Sequence, residues 1–159
     1  KNDFDIDEWT TLEAKVGNIK PYHAVCDYFI GEYCNLDMSR NDVYLNGNLC
    51  FPEKSSGVMV VTEAGNNDGS WYDNIHKCYY DKEDHFNRCE ARVILRENYN
   101  LVKRALYKGD ILKIVSYNDD QGIISPDSHK DNHCVDFPMG AEAEIKISDV
   151  TLKVIKPQK

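Results

Sequence analysis

The chain has 159 residues, 42% hydrophobic and 29% charged, and its 27 acidic against 19 basic side chains leave a net charge of −8. A core of that size serves one domain or two small ones and excludes a disordered chain. The acid excess excludes nucleic acid as a partner, since a phosphate backbone needs clustered Lys and Arg, and no apolar run is long enough for membrane insertion.

Residues 1–8 are acidic and loose. Residues 9–16 (WTTLEAKV) fit either a helical face of Trp9, Leu12 and Val16 or a strand carrying the Thr pair. Pro21 breaks the chain, and residues 22–30 (YHAVCDYFI) predict a strand. Residues 41–45 and 49–51 predict a hairpin around Asn46-Gly47, because both residues accept the positive φ of a type I′ turn, and Pro52 ends the return strand. Residues 57–63 are the clearest strand, followed by a surface loop at 64–70 and a short strand at 77–80. In residues 90–95 (EARVIL) Ala91, Val93 and Leu95 alternate inward, so Ile94 must find cover on the second face. Residues 100–108 (NLVKRALYK) are the best helical stretch, with Asn100 to cap it and Gly109 to end it. Residues 111–117 form a strand, 122–125 a short one, 127–132 a loop, and 144–155 one or two final strands.

Residues 57–78 and 111–134 align with each other. Val60-Val61-Thr62 lies over Ile114-Val115-Ser116, and His76 and Cys78 lie near His133-Cys134. A near-constant offset is what tandem β units give. The expected fold is mainly β, two small related sandwich-like or barrel-like modules with at most two short helices. The modules divide as 1–96, disulfide-rich, and 97–159, packed against it.

The six cysteines, Cys26, Cys34, Cys50, Cys78, Cys89 and Cys134, contain no CxxC pair. Their even number and scatter predict disulfides, an oxidising compartment and a secreted protein. Cys134 is expected to reach back and tie the halves together, closing a long loop. The chain starts at Lys1-Asn2-Asp3 with no signal peptide, as in a mature product or a trimmed form.

Candidate chemistry is sparse. Asp127, His129, Asp131 and His133 alternate along one loop, which makes His129 and His133 the weak metal candidates, but neither HExxH nor an EF-hand pattern is present. A small secreted hydrolase of nuclease type would use His76 or His133 with a nearby acid; no nucleophile motif and no glycine-rich phosphate loop accompanies them. No cofactor is expected. Trp71 and Tyr72 follow a flexible loop and are the best exposed anchors, of the kind protein-binding surfaces use.

Two resemblances add to this. Phe29-x-Gly31 with Ser55-Ser56-x-Val58 resembles half of a βγ-crystallin Greek key, although Ala24 stands in place of the key's leading aromatic and Phe51-Pro52 in place of its acidic calcium pair. That resemblance implies a structural protein without a calcium site. In size, cysteine load and layout the chain resembles the small cysteine-rich secreted effectors and toxins of pathogens, which implies a non-catalytic virulence or immune-modulating factor. The expectation is therefore a secreted, monomeric, non-enzymatic protein that binds a host or cell-surface protein. Its binding loops would be built from Asn66, Asn67, Asp68, Trp71 and Tyr72 in one repeat and from Asn118, Asp119 and Asp120 in the other.

Overall fold

The structure, a computed structural model, describes residues 4–20, 23–34, 37–67, 89–96, 103–119, 121–127 and 134–157. The described chain is mainly β, with one short helix. Its strands are β1 (Phe4–Trp9), β2 (Leu12–Val16), β3 (Asp27–Glu32), β4 (Ser39–Leu45), β5 (Asn48–Ser55) and β6 (Val58–Val61), followed by helix α1 (Glu63–Asn67). Then come β7 (Glu90–Leu95), β8 (Lys103–Tyr107), β9 (Leu112–Ser116), β10 (Gly122–Pro126), β11 (Val135–Asp136), β12 (Glu142–Ile147) and β13 (Leu152–Pro157).

The strands form a six-stranded sheet in the order β11-β10-β3-β6-β7-β8, a five-stranded sheet β2-β12-β9-β4-β5 and a ribbon β1-β13. All three take strands from both sides of residue 96, so segments 1–96 and 97–159 interleave in every sheet. Tyr28, Ile30, Val58, Val60 and Val93 of the first large sheet share one apolar cluster with Leu12, Val43, Ile114 and Ile145 of the second. The two sheets thus close a sandwich over their inner faces, where a fully buried Val or Ile contributes about 1.5–3 kcal/mol. Ile94 does find cover: with Met59, Val61 and Phe29 it forms a second apolar cluster on the other face of the six-stranded sheet.

Local chemistry explains most elements. Asn46 (φ 50°) and Gly47 (φ 81°) make the expected turn between β4 and β5. Pro52 does not end the return strand. It sits inside β5, opposite Asp42, and is tolerated because β5 is an edge strand where no ladder needs its missing N–H.

Three expectations are corrected. Residues 103–107 of the expected helix are β8, paired in register with β7 from Glu90↔Tyr107 to Ile94↔Lys103; sheet pairing overrides a helix propensity of a few tenths of a kcal/mol per residue. Residues 64–67 of the expected surface loop lie in helix α1 (Glu63–Asn67), with Ala64 buried. No disulfide joins one of the five described cysteines, Cys26, Cys34, Cys50, Cys89 and Cys134, to another, while Cys78 lies outside the described residues. The tie expected from Cys134 is made by backbone ladders instead, β3 with β10, β2 with β12 and β4 with β9.

Residues 68–78 of the first aligned segment and 120 and 128–133 of the second lie outside the described residues. β6 pairs with β7 in one sheet as β9 pairs with β12 in the other, each antiparallel.

Candidate functional site

The most constrained backbone lies at one end of the six-stranded sheet, where β3 begins and β6 and β10 end. β6 stops at Val61, and Thr62 turns inward, fully buried. Its backbone N–H donates to Cys26 O at 2.9 Å, and its hydroxyl donates to Val25 O at 2.5 Å with Cys26 O 3.1 Å away. The Gly65 N–H donates back to the Thr62 hydroxyl at 3.4 Å. Gly65 is there because nothing larger fits: a Cβ would stand 2.5 Å from Cys26 O.

Asp127 holds the same segment from the other side. It follows β10 with φ 50°, a left-handed conformation that Asp accepts more readily than most residues. Its carboxylate accepts the N–H groups of Val25 (3.1 Å), Cys26 (2.7 Å) and Asp27 (3.2 Å), and its own N–H donates to Asp27 O at 2.8 Å. Three converging N–H groups form a nest that an anion fills; here the anion is part of the chain. Residues 25–27 are thereby clamped between β10 and the β6–α1 junction, with Asp27 buried and Cys26 half-buried.

Charge at this end is mostly negative. Glu63 opens α1, and Arg92, in register with Val61, pairs with Glu90 at 2.7 Å, both side chains only 10% exposed. The arrangement offers rigid backbone and carboxylate acceptors, suited to the hydroxyl and amino groups of a polar ligand.

Of the described sequence candidates, Asn66 and Asn67 lie at this end, next to Gly65, and Asn118 and Asp119 do not. Asn66 and Asn67 close α1. Asp68, Trp71, Tyr72, His76, Asp120, His129 and His133 lie outside the described residues. Asn118 is drawn inside rather than presented by a loop: its Oδ1 accepts the Arg40 N–H at 2.8 Å and its amide donates to Asn41 Oδ1 at 3.1 Å. Asp119 is exposed and donates its N–H to Glu32 Oε1 at 3.3 Å. Since Gly122 pairs with Glu32 and Asp27 with Val61, Asn118 and Asp119 lie at the opposite end of the sheet from Asn66 and Asn67. Asp127 of the expected metal loop binds backbone, and the described residues hold no cluster of metal-ligating side chains. Sequence reasoning did not pick out Thr62, Gly65 or Asp27. The one local signal was a glycine two residues past the clearest strand.

No protein-family profile matches the sequence, and no curated protein does. Solved structures do. A yeast NADH kinase complexed with NADH superposes with a TM-score of 0.74 at 14% identity, over 97% of this chain and 44% of that one. An NAD kinase from Archaeoglobus fulgidus in complex with ATP gives 0.72 at 13% identity, over 98% of this chain and 57% of that one. The chain thus spans about half the length of these kinases. The expectation of a non-catalytic effector or virulence factor, and of a chain with no enzymatic character, is overturned by this likeness, and the crystallin-like structural alternative falls with it. Along nearly its whole length, the chain has a fold found in NAD(H) kinases.

Proposed function

We propose that this chain is the nucleotide-holding β portion of an NAD-kinase-type enzyme. An adenine nucleotide would rest on the edge made by residues 25–27, residues 62–65 and Asp127. The observation that carries the reading is the likeness of fold over nearly the whole chain to two kinases, one solved with NADH and the other with ATP. Both of those ligands present an adenosine, whose ribose hydroxyls and amino group donate hydrogen bonds.

The edge supports this in two ways. Its backbone is held by hydrogen bonds from both flanks, so it meets a ligand without reorganising. Its carboxylates are the acceptors a nucleoside needs. Phosphoryl transfer depends on positioning and on positive charge around the phosphates. Among the described residues at this end the Arg92 guanidinium is already paired with Glu90, so what they offer is positioning of the nucleoside.

Isothermal titration with NADH, ATP and adenosine tests this. Saturable binding of all three, weakened in Gly65→Ala and Asp127→Ala, is the expected result. A chain with the circular dichroism of a folded β protein that takes up none of them at millimolar concentration would sink the proposal.

A further inference from the structure

A second feature lies away from that edge, on the outer face of the five-stranded sheet. There β2 and β12 set opposite charges face to face, Glu13 against Lys146 and Lys15 against Glu144. Glu13 and Lys146 are paired at 3.0 Å. The Lys146 hydrogen bond, with help from Ser148, holds the Glu13 carboxyl below the usual range despite its partial burial. The sheet's own charges cancel.

The connection from β2 to β3 bridges the free edge of β2 at Val16↔Ile19 and Leu12↔Ala24 and adds Lys20 and His23, which line a pocket of about 330 Å³ with Ile111 as an apolar wall. Lys20 makes no ion pair among the described residues. His23 is bracketed at its rim: Nε2 stands 3.1 Å from Ser148 Oγ and 3.4 Å from Glu13 Oε2. The Ser148 hydroxyl donates to Glu13 at 3.1 Å and accepts the Val150 N–H at 3.1 Å. Serine and carboxylate thus meet at the same ring nitrogen, with the serine's proton given to Glu13, so the trio is not a nucleophilic triad. It is a mount for the imidazole. Lys108, bonded to Ser148 O at 3.2 Å and paired with Asp149 at 2.8 Å, completes the charged surroundings.

We propose that this pocket, on a protein that is acidic as a whole, binds a small anion: a carboxylate or phosphate group held by Lys20 and His23, with any short apolar chain laid against Ile111. Across the strands Lys146 and Lys15 already face Glu13 and Glu144, which leaves Lys20 as the uncommitted cation among the described lining residues, with His23, steadied by Ser148 and Glu13, on the same pocket.

The test follows the His23 ring resonances by NMR while inorganic phosphate or succinate is added at constant ionic strength, with chloride as the balancing salt. We expect a saturable shift, abolished in Lys20→Ala, a surface change that leaves the fold intact. A response to phosphate alone, to succinate alone or to both supports the site and says which anion it takes. A drift that matches chloride, or a saturable shift that survives in Lys20→Ala, overturns it. Neither outcome depends on whether the chain binds nucleotides.

Discussion

The Asp127 carboxylate accepts the backbone N–H of Cys26 at 2.7 Å, across 101 positions of sequence. It takes the neighbouring N–H groups of Val25 and Asp27 as well, so one side chain sets the start of β3 against the end of β10. Hydrogen bonds to a charged partner contribute about 1.5–3 kcal/mol each when they cannot be replaced. We predict that Asp127→Asn destabilises by about 2 kcal/mol, because the amide turns donors toward donors, and that Asp127→Ala is at least as damaging. Urea denaturation measures both, and a loss below about 0.5 kcal/mol would show that water replaces the carboxylate.

Gly65→Ala separates two effects of opposite sign. Inside a helix, alanine is favoured over glycine by about 0.8–1 kcal/mol, and Gly65 has no positive φ to protect. Against that, the new Cβ would stand 2.5 Å from Cys26 O, a backbone atom with no room to yield. We expect a net loss of about 1–3 kcal/mol and weaker nucleotide binding. A variant more stable than the parent would show that α1 stands off from residues 25–27.

Gly57 and Gly17 form a matched pair. Both have positive φ, 129° and 56°, but a Cβ on Gly57 would run into the Phe29 ring and come 2.9 Å from Ile30 O, while one on Gly17 meets nothing within 4 Å. Gly17→Ala should cost about 1 kcal/mol, the price of the backbone conformation alone. Gly57→Ala should cost at least about 2 kcal/mol more, because the Phe29 ring must leave its place beneath the Arg96 guanidinium, 5.4 Å from the ring centre. Equal losses in thermal melts would contradict this.

Two buried carboxyls set a pH dependence. Glu53 accepts hydrogen bonds from Ser39, Asn41 and Ser55, yet burial still pushes its carboxyl above the ordinary range. Glu32 is raised by burial too, with repulsion from Asp119 and Asp37 added and the Asp119 N–H opposing. A raised carboxyl in the folded state contributes stability that is full below the unfolded value and is lost as pH rises through the raised one. Urea midpoints should therefore rise on mild acidification from neutrality, and Glu53→Gln and Glu32→Gln should each flatten that rise. Glu13 and Asp149, lowered by Lys146 and Lys108, act in the opposite sense as pH falls further. An unchanged slope in both variants would place the effect elsewhere.

Peptide mapping of the unreduced protein should find no crosslink among Cys26, Cys34, Cys50, Cys89 and Cys134, since none of the five is joined to another. A crosslinked peptide between any two of them would contradict the structure.

The legible parts of the fold were those whose causes are local. The Asn46-Gly47 turn, β6 and β9 announce themselves within a few residues, through φ preference and β-branched runs. β8 did not, because Leu101, Ala105 and Leu106 have helical spacing and only the neighbouring β7 makes residues 103–107 a strand. Pro52 misled for the same reason: its strand lies at an edge, and edges are a property of the sheet. The edge made by residues 25–27, 62–65 and Asp127 was hidden more deeply. Asp127 was read with His129 and His133 as a metal loop, when its partners lie about a hundred residues earlier. The cysteine count pointed to crosslinks in a protein whose ladders already join its halves.

Those ladders also bear on how the protein comes off the ribosome. β1 pairs with β13, β2 with β12, β3 with β10 and β4 with β9, so the strands made first wait for partners made last. Contacts this distant in sequence slow folding, because loop closure precedes the contacts that reward it. Until β9 to β13 are made, β2 and β4 have unpaired edges of the kind that recruit other chains. Nascent chains stalled before residue 112 are thus the form of this protein most in need of a chaperone.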